Sequence, residues 1–401
     1  MKLNVYYGKS VHGKDEIDAV VKVLQKSTQM GENVKKFEKK ISNLFDKKYG
    51  VMVNSGSSAL LLAFEALNLP KNSEVITPVL TFSTSVSYII KNNLKPVFVD
   101  VNKQTLCIRE DQIQKALSKK TVAIVVPNLL GNLPNLLKIK KIIKSYNKKI
   151  IIIEDSADCL GSKFNDRPSG YYSDISITSF YGSHIINCAG NGGYIGLNSK
   201  YLYNKIKLLR SWGRSSSLFD ERSEKIENRF NIKLDGINYD KKFVFQEIGH
   251  NLEPSELGAA FGLVQLQKLK DNLNKRKKIF QKHLNFFRNY TKHFILPVEY
   301  NNTNTGWLAY PILINDNTKI DRKALQIFLE KANIQTRVIF TGNILRQPGF
   351  KNINKRIIKK EYDEADYVMK NGILIGCHQG MTNQMVEYVH NRIKKFINNY
   401  K

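Results

Sequence analysis

Two carboxylates, Glu154 and Asp155, follow directly on the apolar run Ile151-Ile152-Ile153, and a third, Asp158, stands three residues further on. A buried strand that ends on an acidic side chain is how open α/β sheets build sites at their carboxyl ends. A second short segment with alternating apolar residues, 175–180, runs into Ser179-Phe180-Tyr181-Gly182-Ser183-His184 and then the glycine turn Gly190-Asn191-Gly192-Gly193. Histidine titrates near neutrality, so His184 could take up and return a proton. A third feature, Asn54-Ser55-Gly56-Ser57-Ser58, lies where a short strand enters a helix. A helix opening on such residues offers free N–H groups and hydroxyls to an anion. The same residues also suit plain helix capping by Ser57 or Ser58.

The scaffold that must position these groups is legible as an alternation. Apolar strands at 74–78, 96–100, 122–126 and 149–154 alternate with helical spacing at 83–90, 112–117 and 137–146. That β-α-β-α rhythm predicts an α/β fold, a mostly parallel sheet with helices on both faces. Amphipathic helices are expected at 15–27 and 32–44, after an irregular arm of residues 1–12. Beyond residue 196 the pattern turns helical (202–209), passes a polar surface excursion at 215–240, and resumes in helices at 253–269 and 271–290. Strands at 307–314 and 335–340 mixed with helices, the last at 383–400, predict a smaller α+β unit. The expected division is an N-terminal arm (1–12), a large α/β domain (13–275) and a small C-terminal α+β domain (276–401).

Composition removes several function classes. With 401 residues and 42% hydrophobic content the chain can bury a substantial core. No segment approaches the roughly 20 consecutive apolar residues that cross a bilayer, and the start is too short and polar for a secretory signal. Four cysteines stand apart with no CxxC pair, which suits a reducing, cytoplasmic setting and points to no local metal site. The net charge of +28 is spread along the whole chain, so it argues for solvated faces rather than nucleic-acid binding. A positive field would still favour an anionic small substrate such as a nucleotide diphosphate.

Seven motifs in order resemble the sugar-nucleotide (DegT/StrS-type) branch of the fold-type-I aminotransferases, which depend on pyridoxal phosphate (PLP). They are the stretch 54–60, Glu74-Val75-Ile76-Thr77-Pro78 running to Phe82, 96–101, Glu154-Asp155-Ser156-Ala157-Asp158, Ser179-Phe180-Tyr181, the turn at 190–193, and Gly249-His250-Asn251-Leu252 running to Ala260. The resemblance spans essentially the whole chain and implies a seven-stranded-type sheet in the large domain. It also implies roles. Asp155 would pair with the pyridine nitrogen, Phe82 would stack on the ring, and Asp158 would contact the ring oxygen or the substrate. Gly56, Ser57 and Ser179 would hold the cofactor phosphate, and Asn251 would reach that phosphate from the neighbouring subunit of a homodimer with a shared site. Arg337, Asn343 and Arg346 would contact the nucleotide-sugar substrate.

The chain departs from that family's common pattern at residue 184. Ordinary members carry a lysine there that binds PLP covalently; here it is His184, and no lysine lies between Phe164 and Ser199. That replacement resembles the 3-dehydratase branch, which works with pyridoxamine phosphate (PMP) and removes the C3 hydroxyl of a nucleotide-4-keto-6-deoxyhexose in making deoxysugars for surface polysaccharide. The dehydratase acting on CDP-4-keto-6-deoxyglucose is similar around 210–214 and 336–348, but it holds an iron–sulfur cluster on four cysteines. This chain has Ala157 and Ser215-Ser216-Ser217 where those would stand, so no cluster is expected. The implied cycle then returns PLP to PMP with an amino donor such as glutamate. Two other readings stay open: an aminotransferase served by a distant lysine, and a non-catalytic relative that binds cofactor or sugar nucleotide.

Overall fold

Seven short apolar segments line up in one sheet in the computed structural model, which describes residues 3–146, 149–219 and 229–398. They are β1 (Tyr49–Val53), β2 (Glu74–Pro78), β3 (Lys95–Val99), β4 (Thr121–Pro127), β5 (Ile151–Asp155), β6 (Ile175–Ser179) and β7 (Gly193–Leu197), in the spatial order β1-β7-β6-β5-β4-β2-β3. β7 is antiparallel to both β1 and β6. The other neighbours run parallel. Helices cover both faces, so Val, Ile and Ala positions on both sides of the strands are buried. That double cover is why β3, β4 and β5 read as continuous apolar runs rather than alternating ones.

The sheet has one strand more than expected. Arg356–Ile357, from the C-terminal part of the chain, pairs parallel with the outer edge of β3. The Arg356 guanidinium donates to both Glu74 oxygens, at 3.0 and 2.9 Å, so an ion pair in fork geometry secures the added edge.

A three-stranded antiparallel sheet, Phe294–Ile295, Ala309–Ile314 and Gly372–Gly376, forms the centre of the C-terminal part. The strand predicted at 335–340 is not there as a strand. Only Arg337 makes a bridge, to Leu374. Glu330 takes the Thr336 N–H at 2.6 Å, and Phe340 adopts a left-handed φ of 47°, so the ladder stops on both sides. The arm is more ordered than its sequence suggests. Val5 sits beside Ile334 as an added parallel bridge, exchanging backbone hydrogen bonds with Asn333 and Gln335.

Residues 220–228 of the predicted polar excursion lie outside the described residues, as does the predicted end of the last helix at residue 400. The excursion's later part is a hairpin, Ile232–Leu234 with Ile237–Tyr239. Its two-residue turn, Asp235-Gly236, has both φ values positive, the requirement of a type I′ turn. The helices Glu256–Gln267 and Leu269–Phe287 follow one another almost without a break.

Candidate active site at the carboxyl ends of the sheet

The register of β4, β5 and β6 sets Asp155 level with Pro127 on one side and Ile177 on the other. Past these strand ends opens a cleft of about 370 Å³. Gly56, Ser57, Phe82, Asp155, Asp158, Ser179 and His184 all line it, so seven residues singled out by type and spacing meet in one place.

One end of the cleft is the start of the helix Gly56–Leu67. The cap is Ser55, not Ser57 or Ser58: its Oγ accepts the Ser58 N–H at 3.1 Å and its carbonyl accepts the Ala59 N–H at 3.0 Å. Capping from Ser55, two residues before Ser57, leaves the Gly56 and Ser57 amides unclaimed at the positive end of the helix. Two glycines permit this arrangement. A Cβ on Gly56 would stand 2.7 Å from Ser179 Cβ, and one on Gly193 would stand 2.1 Å from the Ser55 carbonyl oxygen. The helix start can therefore press against the end of β6, which brings Ser57 and Ser179 to the same side.

The carboxylates sit deeper. Asp155 accepts from Ser85 Oγ and from the Ala157 N–H, each at 3.2 Å. Asp158 accepts from the Leu130 N–H at 2.9 Å, which is possible because Leu130 takes a left-handed φ of 57°. Burial raises the pKa of both, and the charge of Asp158 pushes Asp155 up further. A cation against Asp155 would restore its ionised form. Glu154 alternates to the other face of β5, where Asn128 Nδ2 and the Gly170 N–H each donate to it at 2.8 Å. It belongs to the packing.

His184 is held by its Nδ1, 3.0 Å from the Ser179 carbonyl. A carbonyl only accepts, so in the neutral ring Nδ1 carries the hydrogen and Nε2 keeps its lone pair. Nε2 lies 3.9 Å from Asp158 Oδ1. Burial lowers the pKa of the imidazole, which keeps it a neutral base. Its backbone is steadied by Arg276, fully buried on the helix Leu269–Phe287, which reaches the His184 carbonyl at 3.4 Å and those of Trp307 and Leu308 at 3.2 and 3.0 Å. No lysine is among the residues that line the cleft.

The remaining candidates are elsewhere. Asn251 is exposed, and its backbone bridges Ser211. Arg337 bonds the Thr336 carbonyl at 2.7 Å and lies 5.7 Å from the Tyr7 ring. Asn343 and Arg346 both donate to Asp366, Asn343 at 2.8 Å and Arg346 through two bonds of 2.6 and 2.7 Å. Within this chain, then, these two are already committed to a carboxylate, and none of the four reaches the cleft. Conversely, the cleft uses groups that the sequence did not mark. Ser85 follows Phe82 by one helical turn, a spacing that could have revealed it. Asn128 closes a turn after β4. Arg276 in a charged helix and Tyr7 in the arm carry no local signal.

The residues present fit a pyridoxal-type cofactor. Paired amides and hydroxyls stand at one end, the half-buried Asp155 carboxylate lines the same cleft, and the Phe82 ring, 53% exposed, is free to stack. All four cysteines are buried and unpaired. Among the described residues no His/Cys/Asp/Glu group of three or more could hold a metal ion, and no helix is long and apolar enough to cross a membrane.

Known proteins resemble the chain over most of its length. The lipopolysaccharide biosynthesis protein RfbH of Salmonella typhimurium is 33% identical over 370 residues, covering 90% of this chain and 84% of that protein. The dTDP-4-dehydro-2,6-dideoxy-D-glucose 3-dehydratase of Saccharopolyspora spinosa is 32% identical over 393 residues, covering 96% and 84%. The structure of E. coli GDP-4-keto-6-deoxy-D-mannose-3-dehydratase with bound hydrated PLP superposes with a TM-score of 0.87 at 30% identity, covering 98% of this chain and all of that one. The model of the DegT/DnrJ/EryC1/StrS aminotransferase family matches residues 11–394, and the chain belongs to that family.

Proposed function

We propose that this chain is a PLP/PMP-dependent dehydratase that removes the C3 hydroxyl of a nucleoside-diphosphate 4-keto-6-deoxyhexose, in the synthesis of deoxysugars for surface polysaccharide. The observation that carries the reading is His184 with its Nε2 free in a cleft lined by no lysine. An aminotransferase needs a lysine amine at that point, so the aminotransferase alternative finds no support here.

The amides of Gly56 and Ser57 with the Ser57 and Ser179 hydroxyls would hold the cofactor phosphate. Asp155 would hold a proton at the ring nitrogen, and Phe82 would cover the ring. When bound, the cofactor supplies a nucleophilic amine and a ring that accepts electrons. His184 Nε2 is positioned to take a proton and return it, with Ser179 fixing the tautomer and Arg276 the loop. The charge of Asp155 favours the imidazolium that forms when the proton arrives. An amino donor such as glutamate would restore the amine, and the reaction would run in the cytoplasm.

The deciding experiment is incubation with PMP and a panel of CDP-, GDP- and dTDP-linked 4-keto-6-deoxyhexoses, following loss of the C3 oxygen by mass. Turnover of any member is the expected result. Borohydride reduction with PLP followed by peptide mapping is the control, and a pyridoxyl-lysine on this chain would sink the proposal.

The pH dependence follows from His184. Its pKa is lowered by burial, so the base is neutral at pH 7 and stays so below the ordinary value of 6.5. The acid limb of kcat/KM is expected to fall as pH drops through a pKa under 6.5, and a limb above 7 would contradict the assigned base.

We further propose a homodimer in which the partner's copy of Asn251 completes the phosphate end. The support is an exposed apolar stretch next to Asn251: Phe243, Phe245 and Ile248 are 53, 58 and 97% exposed. Uncovered surface of this kind marks an interface. Ile248→Asp is expected to give a monomer by light scattering and to weaken PMP binding at least tenfold. A dimeric variant with native affinity would refute the shared site.

A further inference from the structure

Tyr7 lines the cleft with Ser183, His184, Asp158 and Leu308, although the arm that carries it lies outside the sheet domain. Four consecutive residues are held in place to bring it there. Val5 bridges Ile334, and the Tyr6 carbonyl accepts from His378 Nε2 at 3.2 Å. The Tyr7 N–H donates to Gln335 Oε1 at 3.3 Å. Gly8 lies so close to the loop before His184 that a Cβ there would stand 2.8 Å from Ser183 Cβ. The C-terminal part and the histidine loop thus grip the arm from two sides, and the ring is set down in the cleft wall.

The phenol oxygen has a backbone built around it but makes no hydrogen bond within the described residues. Tyr7 is half-buried in the cleft wall, so its hydroxyl is open to a molecule bound in the cleft, a contact that phenylalanine could not make. Burial and the nearby charge of Asp158 hold the phenol well above its ordinary pKa, so at neutral pH it is an O–H donor. The charge of Asp158 reaches the phenol, and its neighbour Gly8 packs against Ser183 beside His184, so it shares the cleft wall with the acid–base groups. The missing acceptor is therefore an oxygen on the reacting side.

We propose that Tyr7 is a substrate-contacting residue of this site, its phenol O–H donating a hydrogen bond to an oxygen of the bound sugar. The assignment rests on the function proposed above and adds to it a specificity element carried by the N-terminal arm.

The test compares the full-length wild type with Tyr7→Phe, each loaded with PMP, on the best substrate of the nucleotide-sugar panel. A lost hydrogen bond to substrate is expected to lower kcat/KM about ten- to a hundredfold. The loss should fall on KM, with kcat within about threefold, and with melting temperature and PMP affinity unchanged. Native kcat/KM in Tyr7→Phe overturns the assignment, and so does a loss that comes with weaker PMP binding or a lower melting temperature. A loss confined to kcat also overturns it, because it would indicate proton transfer instead of positioning. If the wild type turns over no member of the panel, the functional reading fails first; turnover by the wild type with an unaffected Tyr7→Phe removes only the role of Tyr7.

Discussion

His184→Asn is expected to lower the dehydration rate about 10²- to 10⁴-fold, the usual contribution of a positioned acid–base group. Asparagine can still donate to the Ser179 carbonyl, which His184 reaches at 3.0 Å, so the loop should keep its shape. What disappears is the lone pair that burial keeps available on Nε2. His184→Lys separates the chemistry further. A lysine at this point offers a primary amine to the pyridoxal form, and the expected result is a new visible absorption band that borohydride bleaches, leaving a stable reduced adduct on the peptide containing residue 184. Dehydration should be abolished at the same time, because the amine that replaces the imidazole base is tied up. Both variants are read by mass loss at C3 and by spectrum. Either variant working at the native rate would refute the role given to His184.

Asp155→Asn is expected to lower turnover about 10²- to 10³-fold, comparable to removing one preorganised electrostatic partner. Asparagine preserves the shape and can still meet Ser85, 3.2 Å away, but it carries no charge to hold a proton at a ring nitrogen. Cofactor binding should weaken less than turnover, because the phosphate end at Gly56, Ser57 and Ser179 is untouched. A second consequence has the opposite sign. The folded-state pKa of Asp155 is raised by burial, then by the charge of Asp158. A carboxyl with a raised pKa favours the fold while protonated, and that contribution is lost as pH rises through the raised value. In the cofactor-free protein at pH 8, Asp155 is therefore a half-buried, ionised, incompletely compensated group. Asp155→Asn should raise the melting temperature of that form while it lowers activity, the pattern of a site that gives up stability for function. Scanning calorimetry at pH 8, with and without PMP, checks it. A variant less stable than wild type without cofactor and equally active with it would contradict both parts.

Much of the architecture could be read from the chain because it depends on local pattern. Largely apolar runs closed by turn residues placed β2 to β5, an alternating segment placed β6, and helical spacing placed their partners, since a strand covered on both faces is mostly apolar on both. The eighth strand could not be read in this way. Arg356–Ile357 is two residues long, and it pairs with β3 because Arg356 finds Glu74 across the fold. The expected strand at 335–340 failed for the reverse reason. Its β-branched and aromatic residues have strand propensity, but Glu330 claims the Thr336 N–H and Phe340 turns out of the ladder. Propensity gives way where tertiary partners capture the backbone groups.

The site divides along the same line. By itself the sequence determined the chemistry available: Asp155 after a buried strand, small residues at a helix start, and histidine where a lysine is usual. Residue identity alone settles which groups can ionise, form a covalent bond or carry a proton. Only the tertiary structure decided which of them act together. It moved the cap to Ser55 and so left the Gly56 and Ser57 amides open, turned Glu154 away from the cleft, and bound Asn343 and Arg346 to Asp366. It also brought Tyr7 and Arg276 to His184 from segments far away in the chain. The physical reason is range. Hydrogen-bond direction, burial and charge proximity act over a few ångströms between residues that are distant in sequence, so no local pattern can encode them.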